Sequence, residues 1–311
     1  MLYGTGKYTY ELVEPWAKLD VVDSFINVVS VSVDSEDRVW VFNRSKRPMI
    51  LFNQDGKELG SWGEDICSKP HGSFLSSDDH IYVTDNFHHI AQKYTRQGDL
   101  VMTLGIKDQP SDTGYHPGLD IWEGLSSIKK VAGPFNQPTG IAVSLKGEIF
   151  VTDGYGNAQV HKFSPNGKLL LSWGESGGRP GQFRTPHNIW IDKHDNLWVS
   201  DRENNRIQIF DDKGKLLDVW TDILRPTQVV IDTEDTVYIS EMCRRISIFA
   251  IDGKLLTRWG NESHRSDNPL FVAPHTIGID SKGDMYVGDC VVAGGFADRR
   301  AGAIRKFARR G

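Results

Sequence analysis

The stretch FRTPHNIWIDKHDNLWVSDRENNRIQIF, residues 183–210, decides the fold of this chain. It contains three strand-like runs, PHNIWI, LWVSD and RIQIF, which are rich in β-branched and aromatic residues alternating with small or polar ones. A fourth run, KLLDVW, follows after a DDKG turn. Four short strands within about forty residues are typical of one blade of a β-propeller.

The same unit recurs six times along the chain. The copies run from Phe25 to Gly63, Lys69 to Gly105, Phe135 to Gly174, Phe183 to near Trp220, Leu224 to Gly260, and Phe271 to the C-terminus. Asp-Gly at 55–56 and 252–253 and Asn-Gly at 166–167 separate apolar runs, as in β-hairpins. No long stretch has a helical period. We therefore predict an all-β fold, a six-bladed β-propeller that occupies residues 1–311 as a single domain.

The two ends of the chain are expected to share a blade. The sixth copy finishes with residues 303–310, AIRKFARR, and lacks the last strand that the other copies carry. Residues 7–16, KYTYELVEPW, form a spare strand that precedes the first copy. Pairing this N-terminal strand with the last blade removes the exposed edges that an open array would leave.

One insertion interrupts the repeat. Residues 106–133, between the second and third copies, are rich in Gly, Pro, Ser and Asp, and this composition predicts a loop. Its length is typical of loops that act as lids or binding walls, so we describe it as a lid-like insertion. A surface excursion without a function is the alternative.

The composition excludes several classes of protein. The chain has 36 basic and 41 acidic residues, a net charge of −5 and no basic block, so we expect no nucleic-acid partner. No apolar run approaches the ~18 residues that cross a membrane. Cys67, Cys243 and Cys290 are far apart and odd in number, which indicates neither a disulfide framework nor a CxxC metal site. With no signal-like segment at the start of the sequence, we expect a cytoplasmic location.

Three histidines share one position of the repeat. Pro70-His71, Pro186-His187 and Pro274-His275 open the second, fourth and sixth copies, whereas Thr139 and Thr227 hold this position in the third and fifth. A single such histidine is more often structural. In a six-bladed ring, however, residues on alternate opening strands converge on the central channel, and three imidazoles with an open fourth position form a catalytic zinc site. Iron, manganese, cobalt or copper could also occupy three histidines.

These residues carry a family resemblance. NNRIQIF, residues 204–210, resembles an NHL repeat. The alternating PHG, PHN and PHT pattern and TDGYGNAQVHKFSPNGKLLLSWG, residues 152–174, resemble the peptidylamidoglycolate lyases, the zinc lyase half of the peptide-amidating system. The resemblance implies an NHL-type propeller in which His71, His187 and His275 bind zinc.

The resemblance also implies a reaction and its residues. Lyases of this family cleave the C–N bond of an α-hydroxyglycine hemiaminal and release an amide and glyoxylate, so the implied substrate is a small molecule or a peptide terminus. Tyr155 in DGYGN matches a tyrosine that sits over the metal and acts in proton transfer or as an activating phenolate. Arg44 in VFNRS matches an arginine of substrate binding and catalysis, Arg202 matches the arginine of the D-R-E-N motif, and both are expected to bind a carboxylate. As alternatives, Tyr155 could merely stack in the channel, and Arg202 could pair with Glu203 or a neighbouring blade.

One motif departs from the family pattern. The family usually has Met-Pro-His-Asp around its last histidine, with the aspartate serving a structural calcium, whereas this chain has Ala273-Pro274-His275-Thr276. A threonine hydroxyl is a poorer calcium ligand than a carboxylate, which argues against a buried calcium. The missing methionine reshapes the floor of the pocket, so the peptide substrate of the family does not carry over directly to this chain.

Two other functions remain open on the sequence. The same three-histidine site could serve a zinc-dependent hydrolase of a lactone, an ester or an amide, with an arginine stabilising the oxyanion. An NHL propeller can also be a non-catalytic interaction scaffold. The sequence indicates no cofactor other than a metal.

Overall fold

The computed structural model describes residues 1–19, 25–64, 66–260, 269–292, 295 and 303–311. Their strands form six antiparallel sheets, and the fold is the nearly all-β, six-bladed propeller that the repeats predict. No helix in these residues is long and apolar enough to cross a bilayer. The cytoplasmic location stays a prediction.

The strands are short, as expected for propeller blades. The first six are β1 (Leu2–Thr5), β2 (Tyr8–Val13), β3 (Val28–Val33), β4 (Val39–Asn43), β5 (Met49–Phe52) and β6 (Glu58–Trp62). Next come β7 (Pro70–Leu75), β8 (His80–Asp85), β9 (Ile90–Thr95), β10 (Leu100–Leu104), helix α1 (Ile121–Ser127), β11 (Pro138–Val143), β12 (Ile149–Asp153), β13 (Gln159–Phe163) and β14 (Leu169–Trp173). The remainder are β15 (Pro186–Ile191), β16 (Leu197–Asp201), a 3₁₀ turn (Arg202–Asn204), β17 (Arg206–Phe210), β18 (Leu216–Trp220), β19 (Pro226–Ile231), β20 (Thr236–Glu241), β21 (Arg245–Ala250), β22 (Leu255–Gly260), β23 (Pro274–Ile279), β24 (Met285–Asp289) and β25 (Ile304–Arg309).

The chain divides into two compact units, and that they form a single domain stays a prediction. The unit Cys67–Pro226 holds the sheets β7–β10, β11–β14 and β15–β18, each an antiparallel meander. Hydrogen bonds join the first strands of neighbouring sheets, since Thr139 Oγ1 donates to Pro186 O at 2.6 Å. Apolar side chains fill the space between β11–β14 and β15–β18, with Phe150, Phe183 and Phe210 fully buried.

The other unit, Met1–Ile66 with Thr227–Gly311, contains the sheets β3–β6 and β19–β22 and a five-stranded sheet of order β1-β2-β25-β24-β23. In this last sheet β2 pairs antiparallel with β25, so that Tyr10 lies opposite Arg309. The N-terminal strand therefore completes the last blade, as predicted. Strand β1 adds a fifth strand that the repeat did not indicate.

A buried carboxylate at the end of the second strand shapes most blades. It accepts hydrogen bonds from backbone N–H groups of the residues just ahead of the first strand, and we call this contact the lead-in clamp. The clamps join Asp85 to Ser68 and Lys69, Asp153 to Asn136, Asp201 to Arg184, and Asp289 to Val272 and Ala273. The acidic residue that ends IYVTD, IFVTD, LWVSD and MYVGD is therefore structural in these blades.

The hairpin between the first and second strands is closed by another aspartate. Asp192 accepts hydrogen bonds from the backbone N–H groups of His194 and Asn196, and its second oxygen accepts from Trp198 Nε1 at 3.0 Å. Such Asx turns favour a tight hairpin because the side chain replaces backbone partners. The same arrangement recurs at Asp34, Asp232 and Asp280.

The insertion at 106–133 is not wholly a loop, and in this respect the sequence prediction was wrong. Helix α1 begins after Asp120, whose carboxylate accepts the N–H groups of Trp122 and Glu123, and it buries Leu125. A seven-residue helix spans only two turns, too short for a periodic signal. The insertion is tied down, since Thr113 Oγ1 donates to Gly156 O at 2.6 Å.

We expect the lead-in clamp to be a main source of stability. Asp85 accepts four backbone N–H groups, from Ser68, Lys69, Phe87 and His88. Asp85→Ala leaves these donors without their acceptor and should lower the free energy of unfolding by about 2–4 kcal/mol. Urea denaturation followed by tryptophan fluorescence measures the change. Asp55→Ala, at an exposed turn, is the control and should lower the free energy of unfolding by less than about 0.5 kcal/mol. Equal losses of this free energy in both variants would contradict a stabilising role of the clamp.

Candidate metal centre

The three Pro-His histidines each occupy the second residue of a blade's first strand, β7, β15 or β23. Each follows a lead-in clamp by two or three residues, so the clamp sets where the strand begins. One ring nitrogen from each of His71, His187 and His275 lies within 4.8 Å of the other two, and all three side chains are buried. These three histidines could hold a metal ion.

Backbone carbonyls orient two of these rings. His71 Nδ1 lies 2.8 Å from Thr139 O, and His275 Nδ1 lies 2.8 Å from Val29 O. A carbonyl only accepts, so Nδ1 carries the proton in both rings and Nε2 presents a lone pair. Neutral imidazoles held in this way through their second nitrogen are the usual ligands of a divalent transition metal. The residues present thus fit a metal ion.

The hydroxyl of Tyr155 lies against the histidine cluster. Its oxygen is 2.9 Å from His71 Nε2, 3.2 Å from His187 Nε2 and 3.1 Å from Arg202 Nη1. A phenol has one proton and can donate it to one ring nitrogen at a time. The tyrosine thus makes hydrogen bonds through its hydroxyl group in addition to the edge-on contacts of its ring with His71 and His187.

Arg202 is held in place from both sides. Its guanidinium lies over the Tyr155 ring, 5.2 Å from the centroid, and its Nε donates to Glu203 Oε1 at 2.7 Å. Arg225 contacts Glu203 as well, at 2.8 Å and 3.1 Å. Burial alone would lower the pKa of Arg202, but its interactions with Tyr155 and with the Glu203 carboxylate raise it above its ordinary value. Burial likewise would raise the pKa of Glu203, and the two arginines keep it below its usual range.

The three residues predicted to be catalytic have different surroundings. Tyr155 and Arg202 share hydrogen bonds, and Arg202 also makes the alternative pair with Glu203. Arg44 directly follows β4; it is half-buried, and its backbone N–H donates to Asn27 O at 3.0 Å. The roles of all three in binding and catalysis stay predictions.

Sequence reasoning missed the supporting partners. Arg225 is separated from Glu203 by more than twenty residues, and no motif links them. The carbonyl of Thr139 is a backbone group and leaves no signal in the residue type, although the alternation of histidine and threonine in the repeat pointed to that position. Thr276, where the family has a calcium-binding aspartate, accepts the N–H of Val31 at 2.9 Å. The expectation that calcium is absent there stays a prediction.

This chain is similar in sequence to NHL repeat-containing protein 3 and to peptide-amidating enzymes. The NHL repeat profile matches residues 135–163 and 183–210. Human NHL repeat-containing protein 3 is 33% identical over 278 residues, covering 83% of this chain and 75% of that protein. Rat peptidylglycine alpha-amidating monooxygenase is 35% identical over 171 residues, covering 52% and 16%. Drosophila melanogaster peptidyl-alpha-hydroxyglycine alpha-amidating lyase 1 is 33% identical over 177 residues, covering 54% and 30%.

This chain spans less than a third of the length of the two amidating relatives, and 54% of the mouse NHL repeat-containing protein 3. Among solved structures, a streptogramin B lyase matches with a TM-score of 0.64 and 15% identity, covering 97% of this chain and 98% of that one. At such low identity the likeness shows the fold alone.

We expect the chain to bind about one divalent metal ion through the three histidines. His187→Ala removes one of three ligands and should abolish stoichiometric binding, whereas circular dichroism should still report a β-rich fold. His194→Ala removes an exposed histidine from the same blade and serves as the control. Elemental analysis of the purified proteins gives the metal content. Full metal content in His187→Ala would contradict the assignment.

Proposed function

Since the chain belongs to the NHL-repeat propeller family, we propose that it is a metal-dependent lyase that cleaves the C–N bond of an α-hydroxyglycine-type hemiaminal. The observation that carries the proposal is the position of the Tyr155 hydroxyl between His71 Nε2, His187 Nε2 and the Arg202 guanidinium. The relatives named as amidating lyases support it.

The reaction transfers a proton from the α-hydroxyl group to the amide nitrogen. As the α-hydroxyl group loses its proton, the oxygen forms a C=O bond, the C–N bond breaks, and its electron pair goes to the amide nitrogen. The nitrogen then takes up a proton, so the products are an amide and glyoxylate. General acid–base catalysis of such a transfer is typically worth ~10²–10⁴-fold in rate.

His71, His187 and His275 would hold the metal, for which we propose Zn²⁺ because three neutral imidazoles with an open position are its usual catalytic ligand set. When bound, such a metal supplies Lewis acidity that lowers the pKa of a hydroxyl group.

The remaining steps belong to the chain's own residues. Tyr155 would pass its phenol proton to the leaving nitrogen as its oxygen takes up the proton of the α-hydroxyl group, so that the tyrosine ends the step in its starting form. Arg202 holds that oxygen in place by its hydrogen bond and by its contact with the ring, and Glu203 fixes the guanidinium in turn. Arg44 is proposed to bind the carboxylate that becomes part of glyoxylate, since guanidinium groups match carboxylates as planar forks.

We expect the zinc-loaded protein to release glyoxylate from N-acetyl-α-hydroxyglycine. Glyoxylate is detected by its hydrazone, and the amide product by mass spectrometry. Turnover of lactones or esters without any release of glyoxylate would instead establish the hydrolase alternative. A chain that binds no metal and turns over neither substrate would be an interaction scaffold.

Tyr155→Phe removes the phenol oxygen and keeps the ring, so we expect kcat to fall by about 10²–10³-fold with the metal content unchanged. Tyr8→Phe is the matched control, because Tyr8 contacts Thr236 through its hydroxyl in the other unit. Steady-state kinetics measure both variants. Wild-type kcat in Tyr155→Phe would show that this hydroxyl takes no part in proton transfer.

A further inference from the structure

We propose that a cavity beside Tyr155 binds the apolar side chain of the residue that precedes the α-hydroxyglycine, so that the preferred substrates are peptides with an aromatic or large aliphatic residue there. The inference rests on the proposed lyase function. The cavity has a volume of about 390 Å³. This lies at the small end of the ~300–1,000 Å³ of ligand sites, a size suited to a single side chain and its peptide group.

The walls of this cavity are mostly apolar. Phe87, from the loop after β8, is 60% exposed although aromatic. Pro110, Tyr115 and Pro117 of the insertion face the same space. Exposed apolar surface that lines a concavity commonly marks a binding site. The lid-like insertion is thus a wall of the cavity.

A buried polar group supplies the second, independent observation. Asn86 also lines the cavity and is 1% exposed, yet neither its Oδ1 nor its Nδ2 has a hydrogen-bond partner among the described residues. Buried polar side chains are nearly always paired, so an unpaired carboxamide at a cavity indicates a ligand group. A carboxamide offers one acceptor and two donors, which match the N–H and C=O of a peptide bond.

A backbone hydrogen bond joins a residue of the cavity to Tyr155. Gln137 lines the cavity, and its carbonyl accepts the N–H of Tyr155 at 3.4 Å. Two residues further on, the carbonyl of Thr139 orients His71. Burial raises the pKa of the Tyr115 phenol, the neighbouring Gln137 side chain lowers it, and the nearby Tyr155 raises it. The acyl group on the nitrogen of an α-hydroxyglycine held at Tyr155 therefore has this cavity as its neighbour.

Hydrogen bonds fix two sides of the cavity. His89 Nδ1 accepts the N–H of Gln137 at 3.1 Å, which fixes one side. Asp108, at the start of the insertion, pairs with His88 and donates its N–H to the His88 carbonyl at 3.0 Å. A site formed in advance avoids the entropic cost of ordering loops on binding.

The test compares two substrates, N-acetyl-Phe-α-hydroxyglycine and N-acetyl-Gly-α-hydroxyglycine. Wild type should prefer the phenylalanyl substrate by about tenfold or more in kcat/KM, because hydrophobic pockets discriminate on this scale. Phe87→Ala should reduce that ratio at least about threefold, chiefly by lowering kcat/KM for the phenylalanyl substrate. Asn86→Ala should instead lower kcat/KM for both, since both carry the peptide group.

Trp122→Ala is the matched control: this tryptophan of α1 is also exposed and lies in the insertion, but it lines a different cavity. It should leave the preference at the wild-type value. The proposal is overturned if wild type shows no preference, or if Trp122→Ala reduces it while Phe87→Ala does not.

A binding experiment separates this inference from the lyase proposal. N-acetyl-Phe-Gly lacks the hydroxyl group and cannot react, so calorimetric titration measures its affinity whether or not the chain is a lyase. It should bind wild type at least about fivefold more tightly than N-acetyl-Gly-Gly, and Phe87→Ala should remove the difference. Equal affinities in wild type would overturn the cavity assignment even if glyoxylate is formed. A selective cavity without glyoxylate release would instead overturn the lyase proposal alone.

Discussion

A carboxylate buried at the end of the second strand needs hydrogen-bond donors. In most of these blades the donors are backbone N–H groups of the residues just ahead of the first strand. Leaving such a charge unpaired would cost several kcal/mol, so each clamped blade has little freedom in where its first strand starts. Asp85, Asp201 and Asp289 act in this way in the blades that carry histidines. The position of each imidazole is thus a consequence of a contact made elsewhere in its own blade.

The blades without histidine contribute differently. Thr139 and Val29 stand at the repeat position that histidine occupies in the alternate blades, and their carbonyls hold the neighbouring rings by Nδ1. Side-chain ligands and backbone supports therefore alternate. Tyr155 and Arg202 come from the loops that follow the second strands, where residue type is not constrained by the sheet. A scaffold of repeated contacts thus holds the histidines, and residues of the connecting loops lie beside them.

The sequence predicted the features that depend on residue type at repeated positions. It did not predict the features that depend on backbone groups or on tertiary neighbours. Six blades and three converging histidines were predictable because strands and histidines recur at the same repeat positions. The clamp was visible only as a repeated Asp, without its partners, because those are backbone N–H groups. Helix α1 was not predicted because a seven-residue helix is too short for a periodic pattern. Its only signals are Asp120, the N-cap, and the buried Leu125. Strand β1 and the Arg225 contact to Glu203 depend on tertiary neighbours that no local pattern records.

The sheet β1-β2-β25-β24-β23 joins strands from opposite ends of the chain. During synthesis β2 emerges first and can find its partner only after β25 has left the ribosome. Until then the hairpin of β1 and β2 lacks a partner along one edge and the array of blades is incomplete, a state with exposed edges that favours aggregation. Closure of the last blade therefore has to wait until β25 has been synthesised, and His275, which lies in this same sheet, reaches its final position only then.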